Sequence, residues 1–319
     1  MRVYLIEAST NLPKIDLLSN SIQIFQAAPP SIKEFLVSNP SRADIFLVPH
    51  DASVWTESYA QLIESMSLTR PIVFFNRSDQ PLVVKIKNSV SLQNAICLRQ
   101  VARQVIVPYN ILSLEHLQFR EYTSRPTISF VGFVPKLTLG RLKTVSSSGF
   151  PRSIINNPVF VRRQGLRNIM KHFPNSIVIN RSHYGGARSL ISDPRQWRLE
   201  YVNSILESDF VFSPRGDANA SQRYYEAISA GRIPLVPNTG QSFPKCTCGR
   251  KHHPGIVSIS WTSKDIQMKV DSFWQNLTKN SYLDLQHELR RTYQECYSYQ
   301  KYILRFFSGD FKSLDAFTY

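Results

Sequence analysis

Short apolar runs alternate with stretches of helical spacing, twice over, and this alternation most constrains the fold. In the first third RVYLIE (residues 2–7), IFLVP (45–49), IVFF (72–75) and VIV (105–107) read as buried strands. Between them, residues 31–37 and 57–68 carry helical spacing. Strand, helix and strand in repetition point to a parallel sheet covered on both faces, whose strands are apolar along their length. Pro49 and Pro71 punctuate strand ends.

A polar stretch at 115–126 (EHLQFREYTSRP) separates this series from a second one. There, TISFVGF (127–133), 177–179, 210–212 and 233–236 read as strands, and 160–173, 194–207, 221–230, 263–276 and 283–306 as helices. Pro194 opens one helix at the position proline tolerates, and Gly231 closes another. Residues 139–158 read as loop. A chain of 319 residues has room for two domains at roughly 100–200 residues each. The expectation is α/β: two Rossmann-like domains, 1–120 and 121–285, facing each other across a cleft. Ligands bind such sheets at the carboxyl ends of the strands.

The charge balance narrows the ligand. Thirty-eight Lys and Arg against 23 Asp and Glu give a formal +15. That charge suits nucleic acid, an anionic membrane surface or a phosphate-bearing small substrate. It is spread along the chain with no block of five or six basic residues, which argues for a positively lined cleft. The four cysteines make no disulfide framework. The apolar run at 1–8 is broken by Arg2 and Glu7, unlike a signal peptide, and no run approaches the ~18 apolar residues of a membrane span. The expectation is a soluble cytoplasmic protein, with peripheral contact to an anionic membrane as a further possibility.

Residues 208–238 (SDFVFSPRGDANASQRYYEAISAGRIPLVPN) carry the chemistry. A buried strand runs into a loop with Pro214, Arg215, Gly216 and Asp217, and then into a helix capped by Asn219 or Ser221. Arg223 and Glu226 lie three apart on that helix, hence on one face. Free N–H groups at a helix start, a glycine and adjacent arginines favour a diphosphate. A carboxylate further along can accept hydrogen bonds from ribose hydroxyls. The bland alternative is a surface ion pair between Arg223 and Glu226, since such pairs are common on helix faces.

The order of these residues resembles the donor-binding signature of the exostosin glycosyltransferases. The matching positions are Phe212, Pro214, Arg215, Gly216, Ser221, Arg223, Glu226, Ala227, Gly231, Ile233 and Pro234. ADIFLVP (43–49) looks like the family's early strand, and TISFVG (127–132) like its F-x-G strand, followed here by Arg141. The chain departs from the family at Arg232, where members often carry cysteine.

The resemblance implies a GT-B fold whose carboxy-terminal half holds the donor, with residues 286–319 forming a helix that returns to the first domain. It implies transfer of a sugar from a nucleoside diphosphate, with UDP preferred, to a hydroxyl of a glycan or glycolipid acceptor. Inversion at the anomeric carbon follows, as in polysaccharide biosynthesis. No metal or other cofactor is expected, and no Asp-x-Asp occurs in the sequence. By the same resemblance Glu226 binds ribose. Ser221, Arg223, Gly216 and Arg215 hold the pyrophosphate, and Arg141 neutralises the leaving group.

An inverting displacement needs a base for the acceptor hydroxyl. Asp51, then His50, stand where strand 45–49 ends, with Glu7 and Asp79 as rivals. For each of them a strand-end capping role is the commoner case. CTCGRKHH (246–253) lacks zinc-finger spacing and reads as a surface loop. Two competing classes stand beside the enzyme: a nucleic-acid-binding protein, though no nucleic-acid module is recognisable, and an inactive exostosin-like nucleotide binder.

Overall fold

The computed structural model describes residues 1–6, 12, 31–65, 70–76, 86, 88–95, 103–134, 157–183, 193–245 and 256–309. Strands Val3–Leu5 (β1), Ile45–Leu47 (β2), Ile72–Asn76 (β3), Ser89–Gln93 (β4) and Arg103–Ile106 (β5) form a first sheet in sequential order, parallel throughout. Strands Ile128–Phe133 (β6), Ile177–Arg181 (β7), Phe210–Phe212 (β8), Ile233–Asn238 (β9) and Val257–Ser260 (β10) form a second. Its order is β10-β9-β8-β6-β7, again all parallel. The molecule is α/β, with the two parallel sheets expected of a GT-B protein.

In the second sheet the chain steps from β6 outward to β7, then returns across β6 to β8 and continues outward to β9 and β10. The strand order therefore reverses between β6 and β8. Connections leave these two strands in opposite directions, which opens a crevice at their carboxyl ends. Among the described residues the first sheet has no such reversal.

Seven helices of the described residues cover the sheets: Glu57–Ser65 (α1), Pro158–His172 (α2), Pro194–Leu206 (α3), Gln222–Ser229 (α4), Ile266–Gln275 (α5), Lys279–Thr292 (α6) and Tyr299–Ser308 (α7). Asn157 and Asp193 cap α2 and α3 through their side chains, and in each case proline opens the first turn. A helix expected at 31–37 is only a 3-10 turn, Lys33–Phe35, because the chain here pairs extended at Leu36 with Val3.

The expected single helix at 283–306 is interrupted. A wide π turn at Tyr293–Tyr297 separates α6 from α7. Leu289, Tyr293, Cys296 and Tyr297 pack in the core of the second sheet. From Tyr299 onward the chain lies on the first sheet, where Tyr302, Ile303, Phe306 and Phe307 bury against Val3, Ile45 and Leu47. The Met1 ammonium donates to the Phe307 carbonyl at 2.9 Å, tying both ends of the described chain together.

Between the sheets the linker is held by two buried polar hubs. Asp209, with no exposure, accepts from Arg120 Nε (2.8 Å), the Thr127 amide (2.7 Å) and the Tyr282 hydroxyl (2.9 Å). Burial next to this carboxylate pushes the Tyr282 phenol well above its ordinary range. Arg232 is likewise fully buried. Its five N–H groups reach the carbonyls of Ile205, Leu206, Ala230 and Gln118 and the Gln286 side chain. Two of those carbonyls close α3, where a helix end favours a cation.

Candidate functional site

Helix α4 follows β8 through a loop whose shape is set by its own polar groups. The Gly216 amide donates to the Ala220 carbonyl at 2.8 Å. Asn219 is not the helix cap: its amide donates to the Thr239 carbonyl (3.1 Å) and its oxygen accepts from the Thr239 hydroxyl (2.8 Å). It thereby pins this loop to the segment after β9. Ser221 takes the cap position, yet its side chain caps nothing. Its hydroxyl is buried and has no hydrogen-bond partner, and the first amides of α4 lack a side-chain acceptor. A helix start in that state is a ready anion site, with both the N–H groups and the dipole favouring negative charge.

Arg223 and Glu226 do not form the ion pair that their spacing allows. The Arg223 guanidinium donates twice to the Val131 carbonyl (3.2 and 2.9 Å) and stacks over the Phe130 ring at 4.7 Å. It thus lies across the end of β6. A Cβ on Gly132 would stand 2.1 Å from Arg223 Nη2, so the glycine of the F-x-G strand is what lets the arginine in.

Glu226 is 3% exposed and is held from α3. Arg198 Nη1 donates to one carboxylate oxygen at 2.6 Å and the Tyr201 hydroxyl to the other at 2.5 Å. Burial of its hydroxyl end, reinforced by the Glu226 charge, pushes the Tyr201 phenol well above its ordinary range, so it stays a donor.

The other expected donor-side residues fall in different places. Arg215 is fully buried, and its guanidinium bends back onto the Gly216 (3.1 Å) and Asp217 (2.8 Å) carbonyls. Burial lowers its pKa to about 10. It shapes the loop from within. Arg141 lies outside the described residues, as do Glu7, Asp79 and the 246–253 segment. Arg162 is a residue the motif reading missed. From α2 it donates to the Phe133 carbonyl (2.9 Å) and twice to the Arg215 carbonyl (3.2 and 3.1 Å), bridging the ends of β6 and β8. Its sequence signal was only a basic pair in the first turns of a helix.

The strand expected at 45–49 ends already at Leu47, so His50 and Asp51 lie in the turn that follows β2, three and four residues beyond it. His50 is fully buried, packed edge-on against Tyr59 at 5.4 Å, while its carbonyl accepts from the Trp55 indole (3.1 Å). Burial raises the Tyr59 phenol to about 12. Asp51 is 9% exposed and its carbonyl starts the turn into Val54. The two halves touch beside the loop between β8 and α4, where Ala95, just past β4, packs with Ala218 and Ala220. Among the described residues no group of three or more His, Cys, Asp or Glu gathers as a metal site. No described helix is long and apolar enough to cross a membrane.

Residues 162–307 match the family model of the RXYLT1 C-terminal domain, an exostosin-like glycosyltransferase family. The match takes in most of α2 and everything through α7, including the whole segment 208–238. No curated protein matches the chain. Among solved structures, Anabaena HepE in complex with UDP and glucose is 9% identical, with 84% of this chain and 78% of that one covered and a TM-score of 0.44. A glycosyltransferase from Rickettsia africae is 9% identical over 84% and 77%, with a TM-score of 0.43. An alpha-glucosyltransferase in complex with UDP and DNA is 11% identical over 97% and 100%, with a TM-score of 0.41.

Proposed function

We propose that this chain is an inverting glycosyltransferase that takes a sugar from a nucleoside diphosphate, UDP first among the candidates, and passes it to a hydroxyl of a glycan or glycolipid. One observation carries the reading. A buried Ser221 hydroxyl without a partner stands at an uncapped helix start, at the crevice where the second sheet reverses order. Arg223 lies beside it across the end of β6, and Glu226 one turn deeper. Anion-binding groups followed by a carboxylate along one helix match a diphosphate followed by ribose.

In the proposed reaction the acceptor oxygen attacks the anomeric carbon as the bond from that carbon to the diphosphate oxygen breaks. The acceptor proton passes to a base, for which Asp51 is better placed than His50, whose ring is buried against Tyr59. Ser221, Arg223 and the α4 amides stabilise the charge that grows on the leaving diphosphate, and we assign Arg141 the same task. The reading needs no metal. It also absorbs part of the +15 net charge without invoking nucleic acid.

Thermal shift against UDP, GDP, CMP and TDP, with and without EDTA, tests this directly. A ligand that binds only the folded state raises Tm by mass action. The expected result is stabilisation by one nucleoside diphosphate, unchanged by EDTA and lost in Glu226→Ala. No shift at saturating concentration with any of the four overturns the donor-site reading. A shift that EDTA abolishes overturns metal independence alone.

A further inference from the structure

We infer that Arg198 is a nucleotide-contacting residue of this donor site, with its Nη2 group directed to an oxygen of the nucleoside. The inference rests on the donor-site reading above and adds a residue from outside the 208–238 signature. Arg198 sits in the second turn of α3, which follows β7, while Glu226 sits in the second turn of α4, which follows β8. Helices that follow parallel strands start at the same edge of the sheet, so both residues belong to the carboxyl edge where ligands bind.

Arg198 spends Nη1 on Glu226 at 2.6 Å. Its Nη2 is buried and has no hydrogen-bond partner. Arg232, whose role is structural, has partners for every N–H group, and the other buried guanidinium donor without one, Arg290 Nε, lies against the linker and not at the carboxyl edge. An orphaned guanidinium donor beside the carboxylate assigned to ribose is therefore a different case. A buried polar group without a partner at a ligand crevice points to a group supplied from outside.

The geometry also selects which part of the ligand. Ser221 and Glu226 are five residues apart, about 7.5 Å along a helix. That separates the anion site at the helix start from the carboxylate deeper in. Arg198 grips the deeper group. The Glu226 carboxylate has room for about four hydrogen bonds, of which Arg198 and Tyr201 take two. The remainder can receive ribose hydroxyls while Arg198 Nη2 donates to an oxygen of the same nucleoside. The contact is thus independent of the phosphates.

Calorimetric binding of UDP and UMP to the wild-type chain, Arg198→Lys and Arg198→Gln tests this. Lysine keeps a cation against Glu226 but cannot supply the second, forked donor. Arg198→Lys should weaken UDP and UMP by the same factor, at least ~10-fold, the scale of a lost charge-assisted hydrogen bond. Ser221→Ala should weaken UDP more than UMP. Circular dichroism confirms folding, and Arg198→Gln replaces Arg198→Lys if the latter does not fold. Wild-type affinity in Arg198→Lys makes Arg198 a structural counter-charge only and overturns the inference. A loss confined to UDP overturns it too, by moving the contact to the diphosphate. If the wild-type chain binds neither nucleotide, the donor-site reading itself falls and this inference with it.

Discussion

At the scale of single residues, Gly132 and Arg223 are two halves of one feature. The guanidinium occupies the volume where any side chain at 132 would begin, 2.1 Å from an ideal Cβ. The obstructing atom is the tip of a flexible chain, so Gly132→Ala should cost only about 1 kcal/mol of stability. Its effect on nucleotide affinity should approach that of Arg223→Ala, and the double variant should be no worse than either alone. A double-mutant cycle on UDP affinity reads this coupling; additive losses would mean that glycine and arginine act separately.

Arg232 gives the opposite prediction. Arg232→Met removes a guanidinium that organises four backbone carbonyls and Gln286, leaving buried acceptors unpaired. A loss of roughly 3–5 kcal/mol in urea unfolding is expected, with UDP affinity of the folded fraction unchanged. The positions of Ser221, Arg223 and Glu226 were legible in the sequence because their spacing is local to one helix. Their partners were not. Val131, Arg198 and Tyr201 come from other elements, and only the tertiary fold decides that Glu226 faces Arg198 and not Arg223.

Among the elements, strands with uniform apolar runs were legible and β4 was not. Its sequence, Ser-Val-Ser-Leu-Gln, alternates polar and apolar as a half-exposed strand would, yet all five residues are buried between β3 and β5. The polar ones are satisfied inside: Ser91 donates to Gln93 at 3.0 Å, and Gln93 to Gln104 on β5. Edge strand β10 was missed for another reason, since four residues with one exposed serine give little periodicity. The helix at 283–306 was read as continuous because its apolar spacing carries through the π turn, where the face simply changes partner from one sheet to the other.

Helix α2 shows how element packing can reverse a propensity. Glycine inside a helix costs about 1 kcal/mol relative to alanine, so Gly165→Ala would ordinarily stabilise. Here the added Cβ meets the Phe212 ring at 2.2 Å, with β8 fixed behind it. Overpacking of that kind costs about 1–3 kcal/mol, so the net change should be destabilising by as much as about 2 kcal/mol. A urea midpoint that rises in Gly165→Ala would show that α2 can lift away from β8 freely.

At the scale of the whole molecule, the first sheet is completed by the far end of the described chain. Phe306 and Phe307 are buried against strands drawn from residues 3–107, and their helix reaches them only after passing the second sheet. Phe306→Ala should cost roughly 3–5 kcal/mol. Its hydrogen-exchange signature should be faster exchange in β1–β3, distant in sequence from the substitution. Exchange that rises only in α7 would mean the first sheet stands without it.

The same return path bears on the compartment. Cys296, in the turn between α6 and α7, is buried and disulfide-bonded. Disulfides persist in oxidising surroundings and are rare in a reducing cytoplasm, which runs against the cytoplasmic expectation. A disulfide here would also restrain the turn at which the chain crosses from one sheet to the other. Of four cysteines in the sequence, an intrachain disulfide at Cys296 leaves at most two titratable thiols. Thiol titration in denaturant without reductant should therefore count no more than two, and reduction should lower Tm, since native disulfides typically contribute about 2–4 kcal/mol. A count of four, with Tm indifferent to reductant, would restore the cytoplasmic reading and leave the turn held by packing alone.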